Sequence, residues 1–322
     1  MDNLPSHNLV NYDEKMDTTS FESLLYRPSD SYKYTFGHTL IIGGSPGMIG
    51  APFLCAQAAL RAGSGLATIA STAPVIDKLE HRVLEGTTLC LPPTEKMAFQ
   101  ILQDYIRERH VSVLVIGPGL SQTIQPIVMN IVHHIDLPLI VDGTALRFVA
   151  ENPTVLKKRA GKVCVLTPHH GELQRFFSQP LPKDQIAVAR LTTEIAERYR
   201  LVIAVKGNPT FTISPHHDPI ENTSGGPALA TAGSGDVLAG IIGAFLAQGL
   251  QPNSAVSSAV YIHGLAGDLA AHDLSEPAVI ASDLIDYLPQ AFQSIASTLG
   301  RIRKRHHPSA DNKGADGCPN ER

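Results

Sequence analysis

Short runs of branched apolar residues recur along this chain, and most are followed by a stretch with helical spacing. The runs are Thr39-Leu-Ile-Ile42, Leu66-Ala-Thr-Ile-Ala70, Val111-Ser-Val-Leu-Val-Ile116, Pro138-Leu-Ile-Val141, Val163-Cys-Val-Leu166 and Leu201-Val-Ile-Ala-Val205. They are largely apolar at successive rather than alternate positions, which suits strands covered on both faces. Helical patterns lie near 51–62, 95–109, 123–135 and 184–199. A strand returning parallel to its neighbour needs a crossover, and a helix is the usual one. The pattern predicts an α/β fold with a mostly parallel sheet between helical layers. Residues 210–214 read as an antiparallel strand, and three helices follow near 233–248, 253–271 and 282–298.

With 322 residues, 43% of them hydrophobic, the chain can bury a large core. No composition break divides it, so residues 31–300 read as one domain, with a disordered or extended arm at 1–30 and a disordered basic and polar tail at 301–322. A net charge of −4 gives no global basic field, so neither nucleic acid nor a membrane surface is an expected partner. The first twenty residues lack a basic and apolar leader, and the apolar stretch 227–250 is interrupted by Asp236. The expected location is cytoplasmic. Cys55, Cys90 and Cys164 read as buried small apolar residues and Cys318 as part of the tail. The histidine pairs 133–134, 216–217 and 306–307 are adjacent, and adjacent side chains diverge on a helix or strand, so they suggest no zinc site.

In open sheets of this kind, ligands bind at the carboxyl ends of the strands. Most of the unusual polar and glycine residues fall there. Gly43-Gly-Ser-Pro-Gly-Met-Ile-Gly50 and Gly117-Pro-Gly119 follow strands, and neither has the spacing of a dinucleotide fingerprint or a P-loop. Strands also precede Asp142-Gly143, His169 with Glu172, and Lys206. Glu172 is either a carboxylate for a water-bound magnesium ion or the acidic first turn of a helix. His169 is a candidate donor to a substrate oxygen, Lys206 is either a partner of a nucleotide phosphate or ribose or an ordinary strand-end cation, and Thr210 is a candidate hydroxyl beside it. In Ala230-Thr-Ala-Gly-Ser-Gly-Asp236, Gly233 and Gly235 let backbone approach a ligand at a helix start, where an anion is favoured. Asp236 is either a base that takes a proton from an attacking hydroxyl or a carboxylate favouring the helix dipole.

Several collinear segments resemble one family. Ile41-Ile-Gly-Gly-Ser45, Ala58-Ala-Leu-Arg-Ala-Gly-Ser-Gly-Leu66, Val115-Ile-Gly-Pro-Gly-Leu120, Leu166-Thr-Pro-His-His-Gly-Glu172, Val205-Lys-Gly207, Ala230 to Asp236 and His263-Gly-Leu-Ala-Gly-Asp268 are similar to the ADP- or ATP-dependent NAD(P)H-hydrate dehydratases. The resemblance runs from about Phe36 to Leu288. It implies a ribokinase-like three-layer α/β/α sandwich with Asp236 as catalytic base. It implies substrate contacts at Ala51, Gly119, His169 and Asp236, and nucleotide contacts at Lys206, Gly207, Asn208, Pro209, Thr210 and Gly235. Gly233, Ser234 and Gly235 would form the anion hole, and Glu172 would hold magnesium through water. The implied reaction returns the S-epimer of NADHX or NADPHX, the hydrated dinucleotides, to NAD(P)H. It consumes ADP, giving AMP and phosphate, or ATP. A homotetramer is implied, for which apolar faces near 253–271 serve either as interface or as core. The roughly 35 residues before the match are too few for the epimerase fused to many relatives, so a separate epimerase is the expected functional partner. The family's second acid after the strand at 138–141 is here Thr144. Two rival readings are a small-molecule kinase of the same superfamily and a non-catalytic nucleotide-binding protein.

Overall fold

The computed structural model describes residues 17–121, 125–159 and 161–306. Its strands are β1 His38–Ile42, β2 Leu66–Thr72, β3 Thr87–Leu91, β4 Val113–Ile116, β5 Leu139–Val141, β6 Cys164–Leu166, β7 Val202–Val205, β8 Phe211–Ile213 and β9 Ile220–Glu221. Its helices are α1 Thr18–Leu25, α2 Gly50–Arg61, α3 Ala73–Leu79, α4 Glu95–Glu108, α5 Gln125–His134, α6 Gly143–Glu151, α7 His170–Leu173, α8 Gln185–Tyr199, α9 Ser234–Ala247, α10 Pro252–Leu274 and α11 Ala281–His306. The strands form one sheet in the order β3-β2-β1-β4-β5-β6-β7-β8-β9. Pairs from β3 through β7 are parallel, while β7–β8 and β8–β9 are antiparallel, as the sequence pattern predicts for 210–214.

The continuous apolar runs explain the layering. Ile41, Val113, Val115, Ile140 and Val165 face a core shared with α2, α9, α10 and α11. The alternate residues Leu40, Ile42, Leu114, Ile116, Val141 and Leu166 face α4, α5, α6 and α8. Helix α9 is buried almost throughout from Val237 to Leu246. A Cβ at Gly243 would stand 3.0 Å from Thr39 Cγ2 and 3.1 Å from Val115 Cγ2, so small residues let α9 lie directly on the sheet. This seating aims its N-terminus at the carboxyl edge. The apolar faces of α10 near 253–271 serve the core, with Ala255, Val256, Ala259, Ile262 and Ala266 fully buried.

Four expectations are corrected. The arm at 1–30 contains α1, whose Phe21 is fully buried and meets the Tyr261 ring edge-on at 5.9 Å. Asp17 caps that helix by accepting from Ser20 N at 3.0 Å, so a segment with mostly polar composition still has an apolar anchor. At the other end α11 runs to His306, past the expected tail boundary at 301. Cys90 is exposed because β3 is an edge strand, while Cys55 and Cys164 are buried; Cys318 lies outside the described residues. The His133 and His134 rings stack, with centroids 4.2 Å apart, instead of diverging. No helix among the described residues is long and apolar enough to cross a membrane.

Candidate active site

Neighbouring strand ends bring the charged groups together. Asp142 follows β5, His169 lies just past β6 and Lys206 follows β7 directly. Lys206 N donates to Pro168 O at 2.9 Å, which ties the last two turns together. Lys206 Nζ donates to Asp142 Oδ1 at 3.0 Å and lies 3.8 Å from Glu172 Oε2. Asp142 is buried, and its Oδ1 also accepts from Thr167 Oγ1 at 2.6 Å. Burial opposes the Lys206 charge, yet Asp142, Glu172 and Asp236 hold its pKa above the ordinary lysine value.

His169 and Glu172 form a reciprocal cap on the short α7. The imidazole Nδ1 accepts from Gly171 N at 3.0 Å and Glu172 N at 3.3 Å, while Glu172 Oε2 accepts from His169 N at 3.0 Å. With Nδ1 accepting, the neutral ring carries its hydrogen on Nε2, which is 3.5 Å from Glu172 Oε2. The imidazole is 59% exposed, so this donor remains open to a substrate. Of the two readings for Glu172, the helix-start role is realised directly.

Helix α9 enters this cluster through its first turn. Gly233 is its N-cap at φ +92°, a left-handed conformation, and a Cβ there would lie 2.6 Å from Leu54 Cδ1. A Cβ at Gly235 would lie 3.1 Å from Lys206 Nζ, so the bare turn is what lets the ammonium approach. Ser234, expected in the anion hole, is engaged by the protein. Its N–H donates to Thr231 O at 3.3 Å, and its Oγ lies 3.2 Å from His263 Nε2. Burial, the largest influence, pulls the His263 pKa down to about 4, so this ring is a neutral brace for the turn. Asp268 Oδ2 accepts from Gly225 N at 2.9 Å and anchors the loop that leads into α9.

Asp236, in the first turn of α9, has its carboxyl pKa raised to about 7. Burial contributes most, repulsion from Asp142 and Glu172 adds to it, and Lys206 opposes it. A carboxylate poised near neutrality is suited to proton abstraction. Replacing Asp142 with Asn removes the largest repulsive charge. The acidic limb of the pH–rate profile is therefore expected to move below pH 7 in Asp142→Asn, and an unmoved limb would dissociate Asp142 from Asp236.

Beside this turn is a cavity of about 460 Å³ whose wall includes His169, the loop Lys206-Gly-Asn-Pro-Thr210, Gly235 and His263. It thus collects all the expected nucleotide contacts. Ala51, Gly119, Glu172 and Asp236 lie outside its wall. Ala51 and Gly119 adjoin each other, since a Cβ at Gly119 would be 3.1 Å from Ala51 Cβ. Ala51 stands one helical turn before Leu54, the residue against Gly233. Asp236 acts electrostatically on both Cys55 in α2 and Lys206 at the cavity. It directly follows Gly235 of the cavity wall in the first turn of α9. Sequence reasoning assigned no role to Asp142, His263 or Asp268. Asp142 carried a positional signal, an acid directly after a strand, while the other two lie within a helix and stood out only as the ends of the segment His263 to Asp268 that resembles the family.

Known proteins resemble the chain over most of its length. Residues 39–290 match the family model described as NAD(P)H-hydrate dehydratase. The bifunctional NAD(P)H-hydrate repair enzyme Nnr of Moorella thermoacetica is 38% identical over 281 residues, covering 86% of this chain and 53% of that protein. The chain thus spans about half the length of that relative. The ADP-dependent (S)-NAD(P)H-hydrate dehydratase of Bacillus subtilis is 34% identical over 270 residues, covering 83% of this chain and 93% of that one. A structure of the Bacillus subtilis ADP/ATP-dependent NAD(P)H-hydrate dehydratase, co-crystallized with ATP/Mg2+, matches with a TM-score of 0.72 and 30% identity. It covers 86% of this chain and 96% of that one.

Proposed function

The chain belongs to the NAD(P)H-hydrate dehydratase family, and we propose that it returns the S-epimer of NADHX or NADPHX to NAD(P)H at the expense of ADP or ATP. Its fold is the ribokinase-like sandwich. The observation that carries the proposal is Asp236, a carboxyl with a pKa raised to about 7 that directly follows Gly235 of the cavity wall at the start of α9.

Hydroxide is a poor leaving group at neutral pH, and phosphate is a good one. Asp236 takes the proton of the substrate's ring hydroxyl as its oxygen attacks the terminal phosphoryl group of the nucleotide. Lys206 and the start of α9 stabilise the negative charge that develops there. The new C–O–P unit then loses phosphate by C–O cleavage, assisted by the ring nitrogen lone pair, and loss of a ring proton restores the reduced nicotinamide. His169 orients the substrate through Nε2–H. Among the described residues no three carboxylate, imidazole or thiol groups converge to hold a metal directly; Glu172 would hold magnesium through water, and the ion would neutralise phosphate charge.

We place this reaction in the cytoplasm, with an NAD(P)HX epimerase as functional partner and a homotetramer as the assembly. Light scattering at micromolar protein tests the last point, with four chain masses expected and one chain mass contradicting it. The activity is tested by incubating the protein with NADHX, magnesium and either ADP or ATP. Recovery of reduced-nicotinamide absorbance with equal phosphate release is the expected result, and the productive nucleotide identifies the donor. A stable phosphorylated product would indicate a kinase instead, and nucleotide binding without turnover a regulatory protein.

A further inference from the structure

A cavity of about 460 Å³ opens at the amino edge of the sheet, where His38, Leu66 and Thr87 begin β1, β2 and β3. We propose that it is a sensor site for an adenine-type nucleoside monophosphate, with the phosphate on Lys33 and Arg109 and the base amine on Thr87 and Tyr105. The groups around Asp236 follow the opposite strand ends, and the five residues of β1 span about 17 Å between the two edges at the usual rise. A ligand bound here is out of reach of Asp236, and its binding does not depend on the dehydratase reading.

The hydroxyls of the wall have a fixed proton order. His38 Nδ1 lies 3.1 Å from Arg109 O, which can only accept, so that nitrogen carries the hydrogen. Burial pulls the His38 pKa below the ordinary value of 6.5, so the ring is neutral and Nε2 accepts. The group 2.7 Å from Nε2 is Thr68 Oγ1, which spends its one hydrogen there. Thr68 Oγ1 also lies 2.6 Å from Thr87 Oγ1 and 2.9 Å from the Tyr105 hydroxyl oxygen. Thr87 and Tyr105 must therefore both donate to Thr68. Both residues line the cavity, and with their hydrogens spent on Thr68 they offer it lone pairs only. The two oxygens flank one common atom, a spacing that two N–H bonds of a single amine bridge. The exocyclic amine of adenine supplies two such donors, whereas a carbonyl in its place would face lone pairs.

The charges of the wall suit the other end of the ligand. Lys33 Nζ lies 5.5 Å from the Tyr34 ring centroid, and Arg109 Cζ lies 5.9 Å from that of Tyr105. Among the described residues neither cation has a carboxylate at ion-pair distance, so their N–H groups remain for an anion. Tyr34, Tyr105 and Val83 offer surface for a flat base, and the Glu80 carboxylate can accept from ribose hydroxyls. The volume lies in the small-molecule range of about 300–1,000 Å³.

Equilibrium dialysis of the full chain against adenosine monophosphate (AMP) tests the site. Wild type is expected to bind one equivalent more than Lys33→Ala/Arg109→Ala, in which both replaced side chains are exposed and the core is untouched. Taking the difference removes any AMP held in the cavity beside Lys206. Tyr105→Phe, which deletes one acceptor, should weaken that equivalent about tenfold. Inosine monophosphate, with a carbonyl in place of the amine, should bind it at least about tenfold more weakly than AMP. Equal AMP binding by wild type and the double variant overturns the site. Unchanged affinity in Tyr105→Phe, or equal affinity for the two nucleotides, overturns the role of the hydroxyls. Inorganic phosphate that displaces AMP as well as AMP itself does would reduce the cavity to a plain anion site and overturn the nucleotide assignment.

Discussion

Asp236→Asn is expected to lower kcat by about 10²–10⁴-fold, the usual contribution of a positioned base, while nucleotide affinity is kept. The variant retains the volume of the side chain and the first turn of α9 but cannot accept the hydroxyl proton. In wild type the base is the ionised form, and its pKa is about 7, so the rate should climb with pH through neutrality. The same shift makes a stability prediction. The folded carboxyl holds its proton up to about pH 7, whereas the unfolded one releases it near the ordinary value of 3.8. Between those limits the folded state binds more protons, so stability falls as pH rises. Asp236→Asn should therefore melt above wild type at pH 8 and match it below pH 4. Such an exchange of stability for activity is common at active sites. Near-wild-type turnover in the variant would remove Asp236 from the role of base.

Lys206→Met carries the second large effect. Asp142 is 3% exposed, and its carboxylate accepts from Lys206 at 3.0 Å. Removing the ammonium leaves that charge buried without its counter-ion, which costs about 3–5 kcal/mol in comparable pairs. It also removes the one opposing influence on Asp236, whose pKa then rises further above 7. The variant should melt at a lower temperature and bind nucleotide weakly, with its acidic limb moved upward. The double variant Lys206→Met/Asp142→Asn should recover much of the lost stability, because the orphaned charge is gone. Unchanged melting in Lys206→Met would show that the pair is not a structural tie.

The parallel body of the sheet was legible because β1, β2, β4, β5, β6 and β7 are buried on both faces and so carry unbroken apolar runs. Edge strand β3 was not. Thr87-Thr-Leu-Cys-Leu91 is partly exposed and follows a glycine, so it reads as loop. Helix α6 begins at Gly143 and α3 is only seven residues long, which hides the helical period of both. Helix α1 is recorded only in Phe21 and Leu24 against a polar background. At the site, glycines and charges after strands pointed to the sheet edge where the structure gathers Asp142, Glu172 and Lys206. The tuning of Asp236 could not be read, because it comes from Asp142 and Lys206, which are distant in sequence and meet only across β5, β6 and β7. The occupation of Ser234 by His263 likewise depends on how α10 crosses α9.

The central claim is that the substrate's own hydroxyl oxygen attacks the nucleotide. NADHX carrying heavy oxygen in that hydroxyl tests it in one turnover. The account predicts that the label leaves in inorganic phosphate, one labelled phosphate for each reduced nicotinamide formed. Unlabelled phosphate, with the heavy oxygen recovered in water, would contradict it and mean that nucleotide hydrolysis and dehydration are separate events.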